Sequence, residues 1–108
     1  MSATPALTEK QFSQQVYDLA RMQGWLVARF PTWRPTGTSP GYPDLTMVRD
    51  GRLIFAELKV GKGKPSHGQQ EWLNELVDCQ TMRLVDLMPE VYVWTPEDWE
   101  LIVEVLER

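Results

Sequence analysis

The chain has 108 residues, of which 43% are hydrophobic and 24% are charged. This composition excludes a disordered chain, and this length is typical of one globular domain, so residues 1–108 are expected to form a single domain. No apolar run approaches the roughly 18 residues of a membrane span, and the first residues lack the layout of a secretory signal. One cysteine, Cys79, and one histidine, His67, exclude an internal disulfide and a Cys/His zinc site, which fits a reducing cytoplasm.

The net charge of −4 argues against a nucleic-acid-binding protein, but this charge is unevenly distributed. Residues 1–28 are neutral overall, residues 29–64 carry +4 and residues 65–108 carry −8. A local basic zone of this kind attracts phosphate groups. On charge alone, however, a solvated surface of mixed sign is the favoured interpretation.

The first third of the chain predicts a helix, a strand and a long loop. Thr8 and Gln11 have the spacing of a capping box, and apolar residues follow at helical intervals, so a helix begins after Thr8 and ends at Gly24. A strand is predicted from Trp25 to Phe30. Residues 31–42 contain three prolines and two glycines, which predicts a loop.

The middle of the chain has the pattern of a β-hairpin. Two strand-like runs, 44–49 and 52–60, are separated by Asp50-Gly51, the dipeptide that most strongly favours a two-residue hairpin turn. Both faces of these runs are largely apolar. This indicates a sheet that is covered on both faces.

The last third predicts a helix, a strand and a closing helix. Ser66 with Gln69 repeats the capping-box spacing. For residues 79–90 we expect helical continuation or a short extra helix, followed by a strand over 91–94 and a helix over 96–106 that begins with a proline. The residues on the apolar face of the second helix are Trp72, Leu73, Leu76 and Val77. The tryptophans assigned to the core are Trp72, Trp94 and Trp99.

The hairpin allows the position of two acids to be derived. If Asp50 and Gly51 form the turn, Asp44 lies directly opposite Glu57, with the two Cβ atoms about 4.5–5.5 Å apart. Strand alternation places Lys59 on the same face as Glu57. Two carboxylates at about 5 Å repel by on the order of 3 kcal/mol at an effective dielectric near 20. Either one of them is protonated, therefore, or a cation lies between them.

Magnesium suits such a pair, because it binds one or two carboxylates together with a backbone carbonyl, waters and a phosphate. The carbonyl of Leu58 is a candidate neutral ligand. The chemistry that follows is metal-assisted phosphodiester hydrolysis, in which Lys59 steers the attacking water or holds a phosphate oxygen. Taken singly, Asp44, Glu57 and Lys59 are better explained as solvated residues at strand ends.

Basic loop residues flank the predicted site. Arg34, Lys62 and Lys64 are candidates for contacts with phosphate, although a solvated surface charge is the more frequent outcome for each. Trp33 is a candidate for stacking on a base, but a loop tryptophan more often covers the apolar edge of its own domain.

Pro43-Asp44, twelve intervening residues and Glu57-Leu58-Lys59 match the PD-(D/E)XK nuclease signature. With its surroundings, the chain resembles the VRR-Nuc family of virus-type replication-repair nucleases from about Leu7 to Leu106. The segments that carry the resemblance are Gly41–Leu45, Asp50-Gly51, Ala56–Lys59, Ser66–Gln69 with Trp72-Leu73, and Val91–Trp99.

The resemblance implies an α/β fold with a small restriction-endonuclease-like core, in the order helix, three strands, helix, strand and C-terminal helix. It implies that Asp44 and Glu57 are metal ligands and that Lys59 is the catalytic lysine. It also implies that Gln69 lies near the metal and phosphate, and that Glu9 of the first helix reaches the metal shell. Gln69 is also explained by its capping box, and Glu9 by the dipole of the first helical turn.

The function implied is that of a DNA endonuclease dependent on Mg²⁺ or Mn²⁺, selective for branched or four-way-junction DNA and active in DNA repair. A homodimer in a bacterial or phage-infected cytoplasm is expected, with no membrane association and no nucleotide cofactor. Residues 79–90 are longer than the corresponding connection of that family, and we expect an interface there. The alternatives are a non-catalytic nucleic-acid-binding module with a nuclease-like fold and an interaction domain that binds no nucleic acid.

Overall fold

Helices and strands follow one another in the predicted order. The computed structural model describes residues 7–30, 41–81 and 89–108, which form an α/β domain with a four-stranded mixed sheet. The elements are α1 (Glu9–Met22), β1 (Leu26–Arg29), β2 (Leu45–Arg49), β3 (Arg52–Leu58), α2 (His67–Thr81), β4 (Glu90–Trp94) and α3 (Trp99–Glu107), with a 3₁₀ turn over Pro96–Asp98 before α3. Within these described ranges, no helix has the combination of length and apolar character that a membrane span requires.

Helix α1 begins at the predicted capping box. The Thr8 hydroxyl oxygen accepts a hydrogen bond from the Gln11 N–H at 3.1 Å, and the Gln11 side-chain oxygen accepts one from the Thr8 N–H at 2.9 Å. These reciprocal bonds satisfy N–H groups that have no partner inside the helix. Gly24, at φ +87°, reverses the chain after the last turn, as predicted.

The turn between β2 and β3 fixes the register of the hairpin. Asp50 and Gly51 have φ values of +49° and +80°, as a type I′ turn requires at its two central positions. The flanking residues Arg49 and Arg52 are paired, and the ladder continues without a bulge to Leu45 opposite Ala56. The predicted register is therefore confirmed.

The four strands are arranged in the order β1-β2-β3-β4. Strands β1, β2 and β3 are successive antiparallel neighbours, whereas β4 is parallel to β3. A parallel neighbour needs a long crossover, and the segment that contains α2 provides it.

One face of the sheet is covered by α1 and α3. Side chains of β2 and β3 that point to this face are fully buried against both helices. The core residues are Phe12, Val16, Ala20, Trp25, Leu45, Met47, Ile54, Ala56, Leu58, Trp94, Ile102, Val105 and Leu106.

The opposite face of the sheet is covered less completely than the sequence predicted. Leu26 and Val48 are paired on that face, yet Leu26 is 73% exposed and Val48 is 40% exposed. Helix α2 packs near β4 and leaves the β1 side of this face open among the described residues. The expectation of a sheet covered on both faces is therefore wrong for this side.

Two tryptophan predictions are confirmed and one is wrong. Trp94 is buried and Trp99 packs against the core, but Trp72 is 38% exposed. Trp72 is more exposed than the other two tryptophans because α2 turns the neighbouring Leu73, and not Trp72, toward the interior. Helical continuation beyond residue 79 is confirmed as far as Thr81, and residues 82–88 lie outside the described part of the chain.

Two arginines bind helix ends at the turn end of the sheet. Arg49 donates to the carbonyls of Gln23 and Leu106, each at 2.8 Å. Arg52 forms two hydrogen bonds of 2.8 Å with the Glu90 carboxylate. Both guanidinium groups also lie over the indole of Trp25, at 4.5 and 5.0 Å from the ring centroid. These arginines of the basic zone therefore stabilise the fold.

We expect Arg52→Met to lower the free energy of unfolding by roughly 1–2 kcal/mol, because it removes a bidentate ion pair that joins β3 to β4. Thermal denaturation followed by circular dichroism measures the change. Lys62→Met, in an exposed loop, is the matched control and should stay within about 0.5 kcal/mol of the unmodified protein. Equal melting temperatures for the two variants would contradict the structural role of Arg52.

Candidate metal and phosphate site

The hairpin places Asp44 and Glu57 side by side at the open end of β2 and β3. They are one step beyond the pair Leu45 and Ala56, at a position of the non-hydrogen-bonded type where side chains approach most closely. Glu57 is fully buried and Asp44 is 5% exposed. The Leu58 N–H donates to Asp44 Oδ2 at 2.9 Å and fixes that carboxylate.

Three oxygens of the two acids are buried without a hydrogen-bond partner: Asp44 Oδ1 and both oxygens of Glu57. Burial is the largest cause that raises the pKa of Glu57, to about 9, and the adjacent Asp44 carboxylate raises it further. The charge of Lys59 acts in the opposite direction. A buried polar atom without a partner is costly, so this pair requires a shared proton or a cation.

Proline at position 43 leaves a backbone carbonyl available beside the acids. The register places Pro43 opposite Leu58, at a position where two strand residues normally exchange hydrogen bonds. Pro43 has no N–H to donate to the Leu58 carbonyl. The Leu58 N–H turns to Asp44 instead, and the carbonyl points to the same side of the strand. This arrangement suits the predicted role of Leu58 as a neutral ligand.

Lys59 lies one residue beyond the end of β3 and is buried. Its N–H donates to the Trp94 carbonyl at 2.9 Å, which anchors the backbone to β4. Its Nζ is 3.8 Å from Glu9 Oε1, at the first turn of α1. Glu9 therefore lies beside the lysine, and its contact with a metal stays a prediction.

Gln69 caps the helix on which it lies. Its side-chain oxygen accepts from the Ser66 N–H at 2.8 Å, and its own N–H donates to Ser66 Oγ at 3.2 Å. The side chain is buried. The capping interpretation is confirmed, while a role for Gln69 at the metal or phosphate stays a prediction.

A close backbone contact holds the loop before Asp44 against the start of α2. Gly41 has φ +91°, and a Cβ atom added to it would lie 2.5 Å from the Gly68 carbonyl carbon and 2.9 Å from the Gln69 nitrogen. Only glycine fits there without displacing backbone. Glycine at position 41 therefore allows the Asp44 loop and the capped end of α2 to meet.

The oxygen ligands at this site suit magnesium better than a cation whose ligands must all come from the protein. Within the described ranges, no group of three or more histidine, cysteine, aspartate or glutamate residues is arranged to hold a metal ion. Two carboxylates and a carbonyl, with the remaining positions left to water and phosphate, are a typical magnesium set. Lys62 and Lys64 are exposed in the adjoining loop, and Arg34 lies outside the described residues.

Sequence reasoning missed Tyr42 at the border of the site. Its ring contacts Phe30, Phe55 and Trp72, with centroids 5.1–6.4 Å away and interplanar angles of 80–86°. These residues come from four separate segments, so no periodicity in the sequence brings them together. The only available signal was the position of Tyr42 two residues before Asp44.

The function of this site has to be inferred from the residues that form it. Comparisons of this chain with protein-family models, with characterised proteins and with solved structures give no match. The features that bear on function are the buried acid pair, the adjacent lysine and the carbonyl of Leu58.

We expect the metal-free protein to lose stability as pH rises from about 5 to about 9. The unfolded chain releases the Glu57 proton near its ordinary pKa of 4.5, whereas the folded protein holds it up to about pH 9. Folding therefore takes up a proton in this interval, and the free energy of unfolding falls as pH increases. Thermal melts in EDTA should show a decrease of roughly 5 °C or more. Mg²⁺ should raise the melting temperature more at the alkaline end, because its ligands must be deprotonated.

Glu57→Gln is the control for this pH effect, since its amide cannot titrate and can donate to Asp44. The pH-dependent decrease should become much smaller in this variant. An unchanged decrease would show that the stability loss arises elsewhere in the chain.

Gly41→Ala should destabilise the protein by roughly 2–4 kcal/mol, because the new methyl group meets the Gly68 backbone and the φ is unfavourable. Gly61→Ala is the matched control, since Gly61 also has positive φ but has open space around its Cβ position. That variant should lose only about 1 kcal/mol. Equal losses in chemical denaturation would contradict the importance of the Gly41 contact.

Proposed function

We propose that this protein is a divalent-metal-dependent endonuclease that hydrolyses phosphodiester bonds in DNA, with Mg²⁺ or Mn²⁺ as its cofactor. The observation that carries the proposal is the group of three buried, unpartnered carboxylate oxygens of Asp44 and Glu57. The resemblance to the VRR-Nuc family supports it. The order of helices and strands is also the one expected of a small restriction-endonuclease-like core.

Asp44, Glu57 and the carbonyl of Leu58 would hold the cation. Bound there, the cation would supply a water of lowered pKa and neutralise charge on the scissile phosphate. Glu57 must lose its proton for this binding, and the repulsion within the acid pair is then relieved by the metal charge.

Lys59 provides a positive charge beside the two carboxylates. Its burial and its position next to Glu57 leave it few alternatives to a contact inside the site. In the proposed reaction its ammonium group donates hydrogen bonds to a phosphate oxygen or to the attacking water. Glu9, 3.8 Å from Lys59 Nζ, orients this side chain.

Fewer basic side chains are available to contact DNA than the charge of the basic zone suggests. Arg49 and Arg52 are bound to helix ends and Glu90, and Arg29 lies over the Tyr17 ring at 4.0 Å. Exposed positive charge next to the acids is carried by Lys62 and Lys64 in the loop that follows Lys59. We propose these two lysines, together with Arg34, as phosphate contacts.

By resemblance to the family, the proposed substrate is branched or four-way-junction DNA and the proposed active form is a homodimer in a bacterial or phage-infected cell. Two-fold symmetry would supply two cuts and a larger DNA footprint than one 108-residue chain offers. Sedimentation velocity with and without a junction tests the dimer independently of activity.

Purified protein with Mg²⁺ or Mn²⁺ should cleave supercoiled or four-way-junction DNA, and EDTA should abolish cleavage. Asp44→Asn and Lys59→Met should each lower the rate by roughly 100-fold or more, because the first removes a ligand charge that holds the cation and the second removes a positive charge beside the scissile phosphate. Glu75→Gln, an exposed acid of α2, is the control and should retain full activity.

Cleavage that persists in EDTA or in Asp44→Asn would overturn the proposal. Salt-dependent DNA binding without cleavage would favour a non-catalytic nucleic-acid-binding module. The absence of both binding and cleavage would favour an interaction domain.

A further inference from the structure

A cluster of aromatic rings borders the acid pair. Tyr42 is its centre, and its hydroxyl is 2.9 Å from the Thr46 hydroxyl, which fixes the ring. Phe30, Phe55 and Trp72 contact Tyr42 edge to face at centroid distances of 5.2, 6.4 and 5.1 Å. We call these four residues the aromatic cluster.

The aromatic cluster lies close to the proposed catalytic residues. Tyr42 is two residues before Asp44 in the chain. Phe55 is on the same strand face as Glu57, about 6–7 Å along β3. Trp72 lies one turn after Gln69, whose backbone meets Gly41.

The outer members of the aromatic cluster are open to solvent. Trp72 is 38% exposed and Phe30 is 44% exposed, although Trp25 and Trp94 of the same chain are almost fully buried. Tyrosine and tryptophan are enriched at binding surfaces, and a contiguous exposed apolar patch marks a ligand or partner site. The ligand has to combine a flat apolar surface with negative charge, because exposed Lys62 and Lys64 lie in the adjoining loop.

A nucleotide has this combination, but only when its base is accessible. In a duplex the base is stacked between its neighbours, and an aromatic side chain reaches it only where the strand is unpaired. Every base offers a π-face, so such a contact selects unpaired DNA and tolerates any sequence.

We propose that Trp72, supported by Phe30 and Tyr42, stacks on an unpaired nucleobase next to the scissile phosphate, and that the site thereby selects DNA with unpaired nucleotides at the cleavage position. This inference rests on the proposed nuclease function. To that function it adds the local structure of the DNA strand that the site recognises, and the side chain that makes the contact.

Equilibrium binding tests the proposal with dye-labelled DNA of two kinds: a fully paired duplex and one of equal length with a short single-stranded gap. Measurements use the Glu57→Gln background with Mg²⁺, so that cleavage does not interfere. Trp72→Ala should weaken binding to gapped DNA roughly 5- to 100-fold, the range for loss of one base–aromatic stack, and binding to the duplex less than about twofold. Trp72→Phe should retain most of the affinity for gapped DNA.

Val77→Ala is the matched control, since Val77 is also exposed on α2 but lies outside the aromatic cluster. It should leave both affinities unchanged. Melting temperatures of all variants show whether Trp72→Ala remains folded, and the abasic scan of the protein that retains Trp72 supplies the test if it does not.

An abasic scan identifies the contact directly. One abasic nucleotide in the gap should weaken binding of the Trp72-containing protein as much as Trp72→Ala does, and should have no further effect on Trp72→Ala. Additive losses, or equal losses for gapped and paired DNA, would overturn the inference.

Cleavage assays with protein that retains Asp44 and Glu57 distinguish a failure of the stacking proposal from a failure of the nuclease proposal. If metal-dependent cleavage occurs but Trp72→Ala leaves the preference for gapped DNA unchanged, the inference is wrong and the nuclease function stands. If neither DNA is bound or cleaved, both proposals are wrong, and an apolar protein partner becomes the favoured occupant of the aromatic cluster.

Discussion

The enforced proximity of Asp44 and Glu57 is the constraint on which the rest of the site depends. The type I′ turn at Asp50-Gly51 fixes the ladder, and a slip of one residue would send every buried side chain of β2 and β3 to the other face. The acids cannot separate without that loss, so the hairpin holds a repulsive pair in a buried position. A proton or a cation must compensate, and the proposed function requires the cation.

The two ends of the sheet differ in how completely their polar groups are paired. At the turn end, Arg49 donates to helix carbonyls and Arg52 forms an ion pair with Glu90, and the Arg49 guanidinium lies over the Trp25 ring. At the opposite end, three of the four carboxylate oxygens of Asp44 and Glu57 have no hydrogen-bond partner. Strong interactions at one end offset the destabilised pair at the other, a division typical of functional sites.

The two faces of the sheet also differ. Helices α1 and α3 bury one face almost completely, whereas α2 covers the other face in part and leaves Trp72 accessible beside the acids. The covered face gives the strands a rigid support. The other face stays partly open to solvent.

The sequence by itself determined the local features: both capping boxes, the turn at Asp50-Gly51 and, through the register that this turn sets, the pairing of Asp44 with Glu57. These features depend on residues that are near in sequence or fixed by one turn. Only the tertiary structure decided how deeply Glu57 is buried, that Arg52 binds Glu90, and that Trp72 faces solvent. The burial of a residue and its long-range pairing depend on contacts between segments that are tens of residues apart in sequence. No local pattern specifies which side of a helix those segments will cover.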